Sequence, residues 1–229
     1  MTASPVKIGK SGSRGEPEKT RAAILEAALE EFAHEGVAGA RIDEIARSAG
    51  VNKALLYYYF KDKDGLYAAV LEQVFTGLYS LVNAVLDRQD LGPREKLLQY
   101  AQTHFDYIAS SPVYPRLVQR EFMRTGYSSS SPLGRILERD GRPVYEKLTR
   151  LIAAGSKSGE FRAGIDPAQT LTSILGTIVF YFISIPAQQL MSARDPFARE
   201  RIAERRVAVL DFISAAVFSS TASPKDKHR

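Results

Sequence analysis

Cysteine is absent from this 229-residue chain, which excludes disulfides, cysteine-rich zinc sites and thiol nucleophiles. That fits a reducing compartment, and the expected location is the cytoplasm. No apolar stretch follows the early lysines, so nothing reads as a secretory signal. Histidine is scarce, at three residues, and His104 has no His or carboxylate at an i, i+4 ligand spacing. No metal site or cofactor is therefore expected, and no nucleophile converges on His104 to make it catalytic. The run Gly9-Lys10-Ser11 lacks the earlier glycine of a phosphate loop: Ser4 stands there, and no strand precedes it. No segment alternates like a half-buried strand, so the expected fold class is all-α. The most apolar stretch, residues 171–185, is about fifteen long and contains Thr172, Ser173, Gly176, Thr177 and Ser184, short of the roughly twenty apolar positions a membrane span needs.

The formal net charge is +5, but residues 1–65 hold ten Lys or Arg against ten Asp or Glu. Bulk charge thus does not point to nucleic acid; the local stretch 41–63 does, with five basic residues against three acidic ones. That stretch, RIDEIARSAGVNKALLYYYFKDK, has the pattern of two short helices and a tight turn. Asp43 and Glu44 suit the start of the first helix, and Ile42, Ile45 and Ala46 share its core-facing spacing. Gly50 ends it, since glycine takes the left-handed conformation without a Cβ penalty. Asn52 is then the N-cap of a second helix, on which Leu56 and Phe60 face inward. The other face carries Ala54, Leu55 and Tyr58, with Tyr57 and Tyr59 on the flanks and Lys53 at the N-terminal end. Three successive tyrosines cannot all be buried, and phosphate oxygens beside a groove would satisfy their hydroxyls. Lys61 and Lys63 follow, placed for salt-sensitive phosphate contacts.

This run, preceded by TRAAILEAALEEFAHEG and followed by GLYAAVLEQVF, resembles the TetR family of transcriptional regulators over roughly residues 18–78. The chain departs from the family at Arg41, where a small hydroxyl residue is usual, so Arg41 is expected to reach a phosphate rather than cap the helix. Leu55, at a base-facing position, offers only apolar contact to a thymine methyl. The resemblance implies a DNA-binding face of Arg41, Ile42, Asn52, Lys53, Ala54, Leu55, Tyr57, Tyr58, Tyr59 and Lys63, with double-stranded DNA at a palindromic operator as partner.

The expected organisation is a disordered tail at 1–16, a DNA-binding domain at 17–78 with its helix-turn-helix at about 41–60, a second helical domain at 79–218 and a tail at 219–229, about nine helices in all. A helix from Pro17 carries the stripe Ile24, Leu25, Ala28, Leu29 and Phe32 and ends before Gly36. Residues 64–87 read as one long helix leading into the second domain, with Gly77 marking close packing or a bend. Helices follow at 94–110, from Pro112 to about Arg124, from Pro132 to Lys157 and at 197–218. The segment 167–193 has no charged residue and must be buried on nearly all sides, partly by another subunit. Homodimerisation through Leu175, Gly176, Val179, Ile202, Val209 and Ile213 is expected, and the family resemblance implies the same pairing.

The resemblance also implies a cavity for a small apolar or aromatic effector in the second domain, with His104, Phe105, Phe122, Tyr127, Tyr145 and Tyr181 as candidate walls. The expected function is a ligand-responsive repressor, not an enzyme. Two other classes stand beside it: a small helical enzyme using His104 with Arg116, Arg120 and Arg124, or a helical interaction module that never touches DNA.

Overall fold

The computed structural model describes residues 17–123 and 128–219, the side chain of Phe122 excepted. The expected tails at 1–16 and 220–229 lie outside the described residues, as does Tyr127. Eleven α-helices run through the described residues: α1 Pro17–Gly39, α2 Ile42–Ser48, α3 Lys53–Phe60, α4 Lys63–Leu86, α5 Pro93–Ala109, α6 Val113–Phe122, α7 Pro132–Ile136, α8 Arg142–Ser158, α9 Pro167–Ile183, α10 Ile185–Met191 and α11 Arg199–Val217. The only extended pairing among these residues is an isolated bridge between Phe161 and Phe218, so the protein is all-α. The chain divides into two compact units between Val70 and Leu71, inside α4.

In the first unit Ile24, Ala28 and Phe32 of α1, Ile45 of α2, Leu56 and Phe60 of α3 and Leu66 of α4 are buried. Their spacing is the apolar stripe of each helix, and each fully buried aliphatic or aromatic side chain contributes roughly 1.5–3 kcal/mol. Phe32 meets Tyr67 edge to face at 5.1 Å. The α1 helix breaks at Gly36, where φ is 70° and ψ 173°, and one further turn carries it to Gly39.

The second unit is built round Leu97, Ala101 and Phe105 of α5, Leu148 and Ile152 of α8, Ile178 and Phe182 of α9, and Val209, Ile213 and Val217 of α11. Where one helix was expected between Pro132 and Lys157, α7 and α8 are joined by a π-helical turn, Leu137–Gly141. The apolar run of α9 stops at Ser184, and α10 leaves at an angle of 60°. By length and composition alone α4 is apolar enough to cross a membrane, and so are α9 and α10 taken as a bent pair. Part of their apolar surface is spent inside the protein: Val70, Leu71, Val74 and Leu78 of α4 and Leu171, Ile174 and Ile178 of α9 are buried, whereas Leu81, Phe180, Leu190 and Met191 are exposed.

Candidate nucleic-acid interface and ligand cavity

The turn between α2 and α3 closes by two backbone bonds, Gly50 N–H to Arg47 O at 3.2 Å and Val51 N–H to Ala46 O at 3.0 Å. That pair is a Schellman motif, and it requires a left-handed residue at Gly50, whose φ is 68°. Asn52 caps α3 as its sequence position implies: Oδ1 accepts from Leu55 N–H at 2.8 Å. With Leu56 and Phe60 anchoring the inner face, the outer face has one direction left. Tyr58 projects from it with 80% of its surface exposed, Tyr57 is exposed at 41%, and Tyr59 stands edge-on to Tyr58 at 5.4 Å. Lys53 and Ala54 are exposed and Leu55 is half-buried beside them.

The cations of this face are not idle. Lys53 Nζ lies 2.8 Å from Asp43 Oδ1, a hydrogen bond that raises the lysine pKa. Arg47 is paired with Glu44, whose carboxyl is held below the usual range by that hydrogen bond and charge and, more weakly, by Arg41. Arg41 caps nothing with its side chain; its backbone N–H donates to Glu31 Oε1 at 2.9 Å, and its guanidinium is 3.9 Å from Glu44. Ile42 is half-buried at the start of α2.

Lys63, for which a phosphate contact is expected, is tied to the backbone of its own unit. Its ammonium donates to Ala38 O at 3.3 Å and Ala40 O at 3.1 Å, satisfying carbonyls at the end of α1. Lys61 is the exposed cation of this corner, and its φ of 64° is the one positive value outside glycine among the described residues. The corner is fixed by Gly65, where a Cβ would fall 2.3 Å from Phe60 O, and by Asp62 Oδ1, which accepts from Gly65 N–H at 2.7 Å.

The second unit contains a cavity of about 700 Å³ bordered by α4, α5, α6, the π turn, α8 and α9. Such a volume is in the range of small-molecule sites. Its walls are apolar for the most part, with Val74, Phe75 and Leu78 from α4, Val144 and Leu148 from α8 and Leu171, Leu175 and Val179 from α9. Polar atoms come from Tyr79, Tyr100, His104, Tyr107, Tyr114, Arg142, Tyr145 and Thr172. Gly77 shows why α4 and α5 can approach: a Cβ there would sit 2.7 Å from the Tyr107 hydroxyl, which donates to Val74 O at 2.6 Å. His104 Nδ1 is 3.3 Å from the Tyr100 hydroxyl. Burial pushes the His104 pKa down to about 4, although the residue keeps part of its surface accessible. The imidazole borders the cavity described above.

Of the candidate wall residues, His104 and Tyr145 line this space. Phe105 does not, because it points to the opposite side of α5, fully buried and 5.0 Å from the ring of Phe182. Tyr181 is turned away too, its hydroxyl donating to Pro196 O at 2.7 Å. Phe122 and Tyr127 are beyond the described side chains. Sequence reasoning missed Tyr100 and Tyr107, which stand at i−4 and i+3 of His104 and so share its helical face; that spacing was the available signal.

The residues expected at a dimer interface divide between the cavity wall and the core of the unit. Leu175, Gly176 and Val179 line the cavity, and a Cβ on Gly176 would meet nothing within 4 Å. Val209 and Ile213, each 1% exposed, are consumed in the core of their own unit, and Ile202 is half-buried against it. The large apolar side chains of α9 and α11 that remain exposed are Phe180, Val207 and Phe212.

The π turn links the cavity wall to α4. Leu137 and Gly141 face the cavity, whereas between them Arg139 reaches Glu72 Oε1 at 2.7 Å and Asp140 accepts from the Thr76 hydroxyl at 3.2 Å. Lys147 adds contacts to Asn83 at 2.8 Å and Asp87 at 2.6 Å further along α4.

Two short helices joined by a Schellman turn, with a capped second helix presenting tyrosines and a lysine to solvent, define a helix-turn-helix DNA-binding protein. Residues 24–70 match the model described as bacterial regulatory proteins, tetR family, and residues 93–213 match the tetracyclin repressor-like C-terminal domain. The chain belongs to the TetR family of transcriptional regulators. It is 34% identical over 172 residues to the HTH-type transcriptional repressor SCO4008 of Streptomyces coelicolor, covering 75% of this chain and 82% of that one. To the HTH-type transcriptional regulator RutR of Escherichia coli it is 32% identical over 181 residues, 79% of this chain and 82% of the other. The ketosteroid transcriptional regulator KstR2 of Mycobacterium tuberculosis shares the fold at a TM-score of 0.72 and 20% identity, over 90% of this chain and 98% of that one.

Proposed function

We propose that this regulator is a dimeric repressor that binds a palindromic operator through α3 and is released when a small apolar or aromatic effector fills the cavity. DNA recognition is supported by the exposed face of Lys53, Ala54, Tyr57 and Tyr58, held rigid from behind by Leu56 and Phe60. Two such helices related by a two-fold axis enter successive major grooves about one helical turn, ~34 Å, apart. Tyr57, Tyr58 and Tyr59 meet phosphates beside the groove, and Lys53 exchanges Asp43 for DNA on binding. Arg41, Ile42 and Asn52 stand at the edge of that face. Pairing uses Val207 and Phe212 of α11, since Val209 and Ile213 are spent in the core.

The observation that carries the effector reading is that α4 serves both units. Leu66 and Val70 are core residues of the first, whereas Val74, Phe75, Leu78 and Tyr79 form a wall of the cavity in the second. An effector that prefers a displaced α4 therefore shifts the population towards conformers with wrongly spaced recognition helices. The Arg139–Glu72 and Asp140–Thr76 contacts transmit movement of the π turn to the same helix. No reaction is assigned to His104, and the protein acts in the cytoplasm, on DNA.

Selection of bound fragments from random duplex DNA tests the reading. Recovery of a two-fold symmetric site by the wild type and not by Lys53→Ala supports it. Recovery of nothing by either protein at low salt overturns it in favour of a helical enzyme or interaction module.

A further inference from the structure

Three of the polar residues that line the cavity stand together: Tyr79 of α4 lies close enough to Tyr100 of α5 for their hydroxyls to interact, and Tyr100 meets His104 one turn further along the same helix. Tyr100 is 2% exposed, and its hydroxyl meets His104 Nδ1 at 3.3 Å. The hydroxyl of Tyr79 and Nε2 of His104 make no hydrogen bond among the described residues, yet neither is a sealed, unpaired buried atom, so both keep accessible surface. Both residues line the cavity, so this surface opens there. Two unpaired polar atoms in so apolar a space are costly unless something in the space satisfies them. By contrast the Tyr107 hydroxyl is already committed to Val74 O.

The cluster is also uncharged at neutral pH. Burial holds the Tyr79 hydroxyl up to about 12 and the His104 imidazole down to about 4. No carboxylate lines the cavity among the described residues, and Arg142, the single cation on its wall, is exposed to solvent at the start of α8. A carboxylate or ammonium brought to the cluster would find hydrogen bonds but no opposite charge, and burial would penalise it heavily.

We propose that the effector is an uncharged, ring-containing molecule whose single hydroxyl or carbonyl oxygen is buried against Tyr79, Tyr100 and His104. This rests on the reading of the cavity as the effector site. The oxygen pairs with the two groups that lack partners, and the rings fill the aromatic and aliphatic remainder.

Three probes of one shape test it by calorimetry: biphenyl-4-ol, biphenyl and biphenyl-4-carboxylate. Biphenyl-4-ol is expected to bind about tenfold more tightly than biphenyl, with the carboxylate weakest. In Tyr79→Phe and His104→Phe, each checked for helical content, that margin falls to twofold or less while biphenyl still binds. Equal binding of biphenyl-4-ol and biphenyl to the wild type overturns the proposal but leaves the cavity as the effector site. Preference for the carboxylate, lost in Arg142→Gln, overturns it in favour of an anion held at the rim. Failure of all three probes to bind contradicts the cavity reading itself.

Discussion

Lys61 and Lys63 are two residues apart, and their surroundings differ. The Lys63 ammonium donates to Ala38 O and Ala40 O at 3.3 and 3.1 Å, and the residue is half-buried. A hydrogen bond to a charged group contributes ~1.5–3 kcal/mol when well shielded. Here one of the two is solvent-exposed, which brings the pair down to about 1–2 kcal/mol. Lys63→Gln is therefore expected to lower the midpoint of thermal unfolding of the DNA-binding unit by roughly 4–8 °C per kcal/mol lost. It should leave the salt dependence of DNA binding unchanged. Lys61→Gln keeps the same left-handed backbone position, so strain is equal in both proteins and only the charge is lost. If Lys61 neutralises one phosphate, the slope of log affinity against log salt falls by about 0.9 per protomer, or about 1.8 for a dimer. Operator titrations between roughly 50 and 200 mM salt, with unfolding curves of the same samples, separate the two. A loss of slope in Lys63→Gln with unaltered stability would refute the capping role.

Other consequences are as specific. Asp43→Asn frees Lys53 from its 2.8 Å partner and removes a carboxylate from the DNA face; non-specific affinity at low salt should rise several-fold, and an unchanged affinity would show that the ion pair does not compete with phosphate. Gly77→Ala puts a Cβ 2.7 Å from the Tyr107 hydroxyl, which Val74 O holds in place; the variant should lose about 1–3 kcal/mol of stability in denaturant titrations, and a neutral result would mean that α5 yields freely. His104 has a folded pKa of about 4, below its ordinary 6.5, so the unfolded chain binds the extra proton first. Stability conferred by the neutral imidazole is complete above pH 6.5 and is lost as pH falls towards 4, by up to about 3 kcal/mol. His104→Gln should flatten the stability profile between about pH 7 and pH 5, above the range in which the carboxylates titrate; identical profiles would place the imidazole in ordinary water.

What the sequence made legible is what a few adjacent residues decide. The Gly50 turn, the Asn52 cap and the inward pair Leu56 and Phe60 depend on contacts within a dozen residues, and spacing alone implies them. The fate of Lys63 depends on carbonyls 23 and 25 residues away, which no local pattern encodes. In α5 one stripe, Leu97, Ala101 and Phe105, faces the core, and another, Tyr100, His104 and Tyr107, faces the cavity. Residue type does not separate the two cleanly, since each places an aromatic ring deep in the protein, Phe105 in one and Tyr100 in the other. An apolar helix such as α9 poses the harder problem: with apolar residues all round, periodicity does not say which side meets its own domain and which a partner. Leu175, Gly176 and Val179, expected to meet a partner, border the cavity as well, Gly176 as an exposed residue. The π turn was invisible for a related reason, since one inserted residue shifts the register without changing the composition.

Under the proposed function α4 serves both the cavity and the DNA-binding unit, so that filling one disturbs the other. Gly176→Phe offers a test without any effector, because Gly176 is an exposed position bordering the cavity, a Cβ there meets nothing within 4 Å, and uptake of biphenyl by the variant reports whether the new ring has filled the space. The affinity of this variant for the selected operator is the measurement that matters most. The account predicts a folded protein whose affinity is at least tenfold weaker, about 1.4 kcal/mol. Wild-type affinity in a folded variant whose cavity no longer takes up biphenyl would contradict it.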